Sequence, residues 1–86
     1  MHIDLNLLQN FIGSLRQFNA RLNSDWGNMQ AAWNRAATTW NDQQRAEFEQ
    51  DWKKVQRAMN GYLARSKEYE RFLQGRETAV REYLGK

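Results

Sequence analysis

The spacing of apolar side chains limits the fold of this 86-residue chain more than any other feature. From Leu8 to Trp40, apolar residues recur mostly at alternating steps of three and four, as on one face of an α-helix. A second stripe with this spacing runs from Phe48 to Tyr83, with the polar Ser66 and Arg76 as interruptions. The pattern predicts two long amphipathic helices. The first stripe comprises Leu8, Phe11, Leu15, Phe18, Leu22, Trp26, Met29, Trp33, Ala36 and Trp40.

Cap residues between the two stripes predict where the chain turns. Asn41 and Asp42 are both favoured helix N-caps, and Asn41 with Gln44 has the spacing of a capping box. Asp4 is a plausible N-cap for the first helix. We therefore expect one domain over residues 1–86, with helix 1 at about 4–38, a turn at about 39–42 and helix 2 at about 42–84. This fold is an all-α antiparallel two-helix hairpin.

A break inside the first helix is the alternative to this organisation. Cap residues, a glycine and an extra four-residue step coincide at residues 23–27, which would give three helices. The stripe resumes on nearly the same face after this point, which favours one long helix, bent there at most.

The apolar stripes widen toward the open end of the hairpin. Folding about residue 41 brings Phe11 and Ile12 close to Phe72 and Leu73, which makes a surface wider than one partner helix covers. We expect two hairpins to pair as a four-helix bundle. The alternative is that the additional apolar residues only flank a two-helix seam. The expected intermolecular surface comprises Phe11, Ile12, Leu15, Phe72, Leu73 and Tyr83.

The inventory of reactive side chains argues against catalysis. His2 is the one histidine and there is no cysteine, so the usual zinc, haem and di-iron patterns cannot be assembled. The sequence has no nucleophile–histidine set and no glycine-rich phosphate loop. Glu47 and Asp51 share a helix face near Asp42, but solvated carboxylates explain them better than a cation site. We expect a non-enzymatic protein without metal or cofactor.

Neither a membrane nor a nucleic acid is the expected partner. No apolar run approaches the roughly 18 residues of a membrane span. The net charge is only +3. Helix 2 holds basic residues that could contact phosphates, but four acidic residues are interleaved with them, which argues against a nucleic-acid-binding module. These acidic residues are Glu68, Glu70, Glu77 and Glu82. These basic residues are Arg65, Lys67, Arg71, Arg76 and Arg81.

The centre of the chain resembles the WXG family of type VII secretion proteins, the early-secreted-antigen-like helical hairpins. That family has a tryptophan–any–glycine turn and an aromatic residue shortly afterwards. Here Trp40, Asn41 and Asp42 lie at the turn, and Phe48 follows. Asp42 stands where the family has glycine. The family's export signal, a tyrosine with an acidic residue four positions later, is not met, because Ser66 follows Tyr62 at that distance and Leu73 follows Tyr69.

The resemblance implies a partner and a location. A WXG-like chain would pair with itself or a sibling hairpin and present a joint surface to an export ATPase or an effector toxin. It would be secreted without a conventional signal peptide, or stay cytoplasmic. The alternative function is a cytoplasmic helical-hairpin adaptor or immunity-type protein, because short helical hairpins arise readily by convergence.

Overall fold

A computed structural model describes residues 3–85 of the chain and contains two long antiparallel α-helices. Helix α1 spans Leu5–Ala37 and helix α2 spans Gln43–Leu84. They form a rod with extents of 66 × 19 × 15 Å. The predicted all-α hairpin is confirmed. Within the described range, neither helix is both long enough and apolar enough to cross a membrane.

Side-chain caps define where both helices begin. The carboxylate of Asp4 accepts a hydrogen bond from the Leu7 backbone N–H at 3.1 Å. The carboxylate of Asp42 accepts one from the Arg45 backbone N–H at 3.0 Å. Each cap satisfies one of the N–H groups that a helix start leaves without an internal acceptor. The cap of α2 is therefore Asp42, and Asn41 lies in the turn before it.

The first helix continues through residues 23–27 without interruption. Trp26 is buried there, and its indole Nε1 donates a 3.1 Å hydrogen bond to Asn60 Oδ1 on α2. Packing against the second helix thus outweighs the helix-breaking tendency of Gly27, which costs only about 1 kcal/mol relative to alanine. The three-helix alternative is wrong.

The seam between the helices includes only part of the predicted first stripe. Its buried members from α1 are Ile12, Asn19 and Trp26, which are spaced by seven residues. The stripe members Phe11, Phe18 and Met29 are exposed beside this seam. From α2, the buried residues are Ser66 and Glu77. Among the residues that the structure describes, two of the five buried ones are hydrophobic, so the hairpin encloses a thin core.

The two halves of the seam differ in chemistry. Near the turn it is aromatic: the ring of Trp33 lies 5.2 Å from that of Phe48 and 5.9 Å from that of Trp52, measured between centroids. Toward the open end it is polar, and side-chain hydrogen bonds join the helices there. Gln9 Nε2 donates to Glu77 Oε1 at 2.9 Å, and Arg16 Nη2 donates to Gln74 Oε1 at 2.6 Å.

Candidate protein-binding surface

Exposed apolar side chains follow one side of each helix over most of its length. On α1, Leu7, Phe11, Phe18 and Met29 fall within about 40° of one another at 100° per residue. On α2, Phe48, Val55, Tyr69 and Tyr83 are separated by multiples of seven, which holds a constant face in a supercoiled helix, and Phe72 lies three residues after Tyr69. We call the combined surface the apolar face. It comprises Leu7, Phe11, Phe18, Met29, Phe48, Val55, Tyr69, Phe72 and Tyr83.

Both rows of exposed residues lie on the same side of the hairpin. The rings of Phe18 on α1 and Tyr62 on α2 meet edge to face at 6.3 Å, which bridges the two rows. Met29 and Val55, one from each helix, line a common groove. The hydrogen bonds of Gln9 and Arg16 to α2 lie on the other side of the seam. The hairpin is therefore apolar on one broad face and polar on the opposite one.

A groove crosses the apolar face on the turn side of the middle of the rod. It has a volume of about 300 Å³, and its one charged lining residue is Asp25. The indoles of Trp26 and Trp52 line it, and the groove is broadly open to solvent, so an apolar group lying on it would be covered on one side. The apolar lining residues are Leu22, Trp26, Met29, Trp52, Val55 and Met59.

The predicted interface residues divide into three groups. Phe11, Phe72 and Tyr83 are 55%, 67% and 79% exposed and belong to the apolar face. Leu15 and Leu73 are half-buried at its inner edge. Ile12 is only 4% exposed, because it packs in the seam within the hairpin, and it has little surface left for a partner. We correct its assignment from the intermolecular surface to the core.

The structure adds residues to this surface that sequence reasoning placed in the core. Phe18, Met29 and Val55 were expected to face the opposite helix, yet all three are exposed. Trp26, Trp33 and Trp40 in the seam recur every seven residues, and this spacing is the signal that distinguishes the seam from the row of exposed residues beside it. A single stripe with alternating steps of three and four merges the seam and the exposed row into one.

The predicted turn residues contribute in different ways. The rings of Trp40 and Phe48 stack at 6.3 Å, and Trp40 also meets Trp33 edge to face at 6.2 Å. Asp42 caps α2, as described above. Asn41 is exposed. The aromatic residues on either side of the turn therefore close the end of the seam, while Asp42 fixes where the second helix begins.

The basic residues of α2 do not form one patch. Lys67 and Arg71 lie on roughly the opposite side of the helix from Arg65 and Arg76, at 100° per residue. Arg81 Nη1 is 3.5 Å from Glu77 Oε1, and this ion pair neutralises part of the Arg81 charge.

Among residues 3–85, no three acidic, histidine or cysteine side chains come together as a metal-binding group. His2 lies outside the described residues.

Comparisons with known proteins do not place this chain in a family. No family model matches it, and no curated protein or solved structure is significantly similar to it.

Proposed function

We propose that this chain is a non-enzymatic protein–protein interaction module that pairs with a second copy of itself through the apolar face. The product is a four-helix bundle made of two hairpins. The observation that carries the proposal is the continuous row of exposed aromatic and aliphatic side chains on one face of a protein with a thin core. Water-exposed apolar patches of this extent are typical of binding surfaces.

The exposed area supports a stable interface. An aromatic side chain buries about 150–250 Å² when it is fully covered. Phe11, Phe72 and Tyr83 each leave more than half of their surface uncovered. The nine residues of the apolar face, at roughly 100 Å² each, together offer about 900 Å², which is comparable with the roughly 800 Å² that each partner contributes to an interface of standard size.

The length of the surface supports a rod-shaped partner. Exposed apolar residues reach from Phe48, near the turn, to Tyr83, at the open end. Their 35-residue separation in sequence corresponds to about 52 Å of helix. A second copy of this chain has the matching length, 66 Å, and offers an equally long apolar face. A compact globular partner would cover only part of it.

The resemblance to WXG proteins supports a role in type VII secretion. We propose that the paired hairpins act as a secretion substrate or as a partner of one, and present a joint surface to an export ATPase or an effector toxin. The stacking of Trp40 on Phe48 supports this role, because these are the aromatic positions of the family motif. A sibling hairpin would fit the same surface and is the competing occupant.

Sedimentation velocity and light scattering at micromolar concentration test the pairing. We expect a species of twice the 10.3 kDa chain mass. Val55→Lys should shift it toward monomer, because the substitution puts a charge on the apolar face. The single hairpin should tolerate the lysine, since Val55 is exposed on the surface of α2. Ala64→Lys is the matched control, since Ala64 is exposed on the other side of α2.

The possible results separate the proposed partners. A folded monomer at all concentrations would overturn self-pairing, and a complex formed only after a sibling hairpin is added would assign the face to that sibling. Export is tested separately, by comparing the amount of the chain in culture medium with and without a functional type VII ATPase. Equal amounts in the two media would contradict the secretion role.

A further inference from the structure

A row of basic residues follows one side of α2. Lys53, Lys67 and Arg81 recur every fourteen residues, which is two seven-residue steps and holds a constant face in a supercoiled helix. Arg57 and Arg71 each follow one of these lysines by four residues and lie beside it on the helix surface. All five side chains are exposed, and we call them the basic stripe.

The basic stripe lies along the polar side of the seam, opposite the apolar face. Lys67 and Asn23 of α1 line a common hollow on this side. Arg16 of α1 donates its hydrogen bond to Gln74, which follows Lys67 by seven residues. Pairing of two copies through the apolar face would therefore leave the stripe uncovered.

The acidic residues that alternate with these cations in sequence are separated from them on the surface. Glu70 and Glu77 point into the seam, where their side chains are only 14% and 5% exposed, and both accept hydrogen bonds from α1. Glu68 and Glu82 each directly follow a stripe cation, so they lie about 100° further around the helix. The interleaving of charges that argued against a polyanionic partner is thus a property of the sequence and not of this face.

The first helix adds no acidic residue to this side. The one acidic residue within α1 is Asp25, which lines the groove on the apolar face. Arg81 of the stripe pairs with Glu77 at 3.5 Å, but the ion pairs between described residues include none of the other four stripe cations. These four positive charges face solvent without an ion-pair partner, which suits a partner with many negative charges.

We infer that the basic stripe binds the phosphate backbone of a double-stranded nucleic acid. The stripe extends 28 residues from Lys53 to Arg81, which is about 42 Å of helix. A turn of duplex is about 34–36 Å long and carries a phosphate charge about every 1.7 Å along its axis, so a duplex lying along the rod can meet every cation. A small anion would engage only one or two of them. The inference goes beyond the proposed pairing and uses a different face of the hairpin.

The uncharged side chains of the stripe favour a duplex over a single strand. Asn60, Ala64 and Thr78 lie between the cations and are short, so a phosphate backbone can approach closely and accept hydrogen bonds from the polar ones. Among the described residues, the exposed aromatic rings belong to the apolar face, so the stripe has no ring on which an unpaired base could stack. Contacts to phosphates alone carry no sequence information, and we therefore expect binding without sequence preference.

Fluorescence anisotropy with a labelled duplex DNA tests this binding. A duplex of about 20 base pairs matches the 66 Å length of the rod. Each of the four unpaired cations that neutralises a phosphate should contribute about −0.9 to the slope of log K against log salt concentration, a total of about −3.6. The affinity should then fall roughly 150-fold between about 50 and 200 mM salt.

Two double variants with the same net charge test the position of the site. Lys67→Gln/Arg71→Gln removes two stripe cations and should weaken binding at least about tenfold at low salt and reduce the slope by about 1.8. Arg21→Gln/Arg65→Gln should retain the slope, because Arg21 lies beside Phe18 and Arg65 lies on the far side of α2. Circular dichroism and sedimentation verify that fold and association are the same in both.

An added charge provides the reverse test. Ala64 lies within the stripe and Ala58 on roughly the opposite side of α2, and both are exposed. Ala64→Lys should tighten binding at least about threefold and steepen the slope by about 0.9. Ala58→Lys, which raises the net charge equally, should leave both quantities close to those of the original chain.

Each other result would overturn the inference. Equal losses in the two double variants, or an affinity that does not change with salt, would show that the stripe is not the site. Tighter binding of a single strand of the same sequence would overturn the duplex as the ligand, and tighter binding of polyglutamate would assign the stripe to an acidic protein. The dimer mass is measured separately, so failure of this inference leaves the proposed pairing through the apolar face untouched.

Discussion

The Tyr62 hydroxyl donates a 2.8 Å hydrogen bond to the side-chain oxygen of Asn19 across the seam of the hairpin. Asn19 is buried, and its amide Nδ2 donates in turn to Glu70 Oε2 at 2.9 Å. A buried polar layer gains most when every member has a partner, and sliding one helix along the other would break all of its bonds. Asn19 therefore fixes which residues of α1 and α2 face each other.

Replacing Tyr62 with phenylalanine should destabilise the hairpin. Tyr62→Phe keeps the ring but leaves the buried Asn19 oxygen without this donor, which costs about 1–3 kcal/mol. Denaturant unfolding followed by circular dichroism measures the change. Tyr69→Phe is the control, because the Tyr69 side chain is exposed and loss of its hydroxyl should change stability by less than about 0.5 kcal/mol. Equal stability of the two variants would remove Asn19 as the residue that sets the register.

The hairpin itself was predictable because its determinants are local. Asp4 and Asp42 are strong N-cap residues, and the apolar spacing between the caps is helical. The turn needs no special backbone conformation, since no described residue has a positive φ angle. Short-range preferences and the long-range seam agree, which is why the fold follows from the pattern.

The assignment of the face was not predictable from the same pattern. Asn19, Ser66 and Glu77 are buried although each is polar. Ser66 Oγ bonds the Leu63 carbonyl at 2.8 Å, and Glu77 accepts from Gln9 on α1. These partners compensate the cost of burial, but the bond from Gln9 to Glu77 forms only once the helices are paired, and the local bond of Ser66 does not by itself indicate burial. A rule that places apolar residues inside therefore puts Phe18 in the seam in place of Asn19.

The cap at the start of α2 gives a second prediction. Asp42→Ala removes the hydrogen bond to the Arg45 N–H and should cost about 1 kcal/mol. Asp42→Gly, which introduces the glycine that WXG proteins have in their turn, should cost only a few tenths of 1 kcal/mol, because glycine is a tolerated N-cap. Thermal unfolding of the two variants checks this order. A glycine variant less stable than the alanine variant would contradict the role of Asp42 as a simple cap.

Glycines inside the helices give a third prediction. A Cβ atom added at Gly27 or Gly75 would meet no heavy atom within 4 Å outside its immediate surroundings. Neither residue thus serves a close approach of the two helices. Gly27→Ala and Gly75→Ala should each stabilise the hairpin by about 0.5–1 kcal/mol, through helix propensity and a less flexible unfolded chain. Unfolding at a concentration where the chain is monomeric measures this; a loss of stability there would show that the glycine serves packing within the hairpin.

Phe72 separates association from folding. Its side chain is 67% exposed in the single hairpin, so Phe72→Ala should change the stability of the monomer by less than about 0.5 kcal/mol. If the apolar face is covered in a dimer, the same substitution should weaken association by about 1–3 kcal/mol, a rise of roughly 5- to 150-fold in the dissociation constant. Sedimentation equilibrium measures association and denaturant unfolding at low concentration measures folding. Arg71→Ala is the control, because it alters an exposed neighbour off the apolar face and should change neither quantity. Unchanged association in Phe72→Ala would place the partner contact elsewhere, since this ring is among the most exposed on the face.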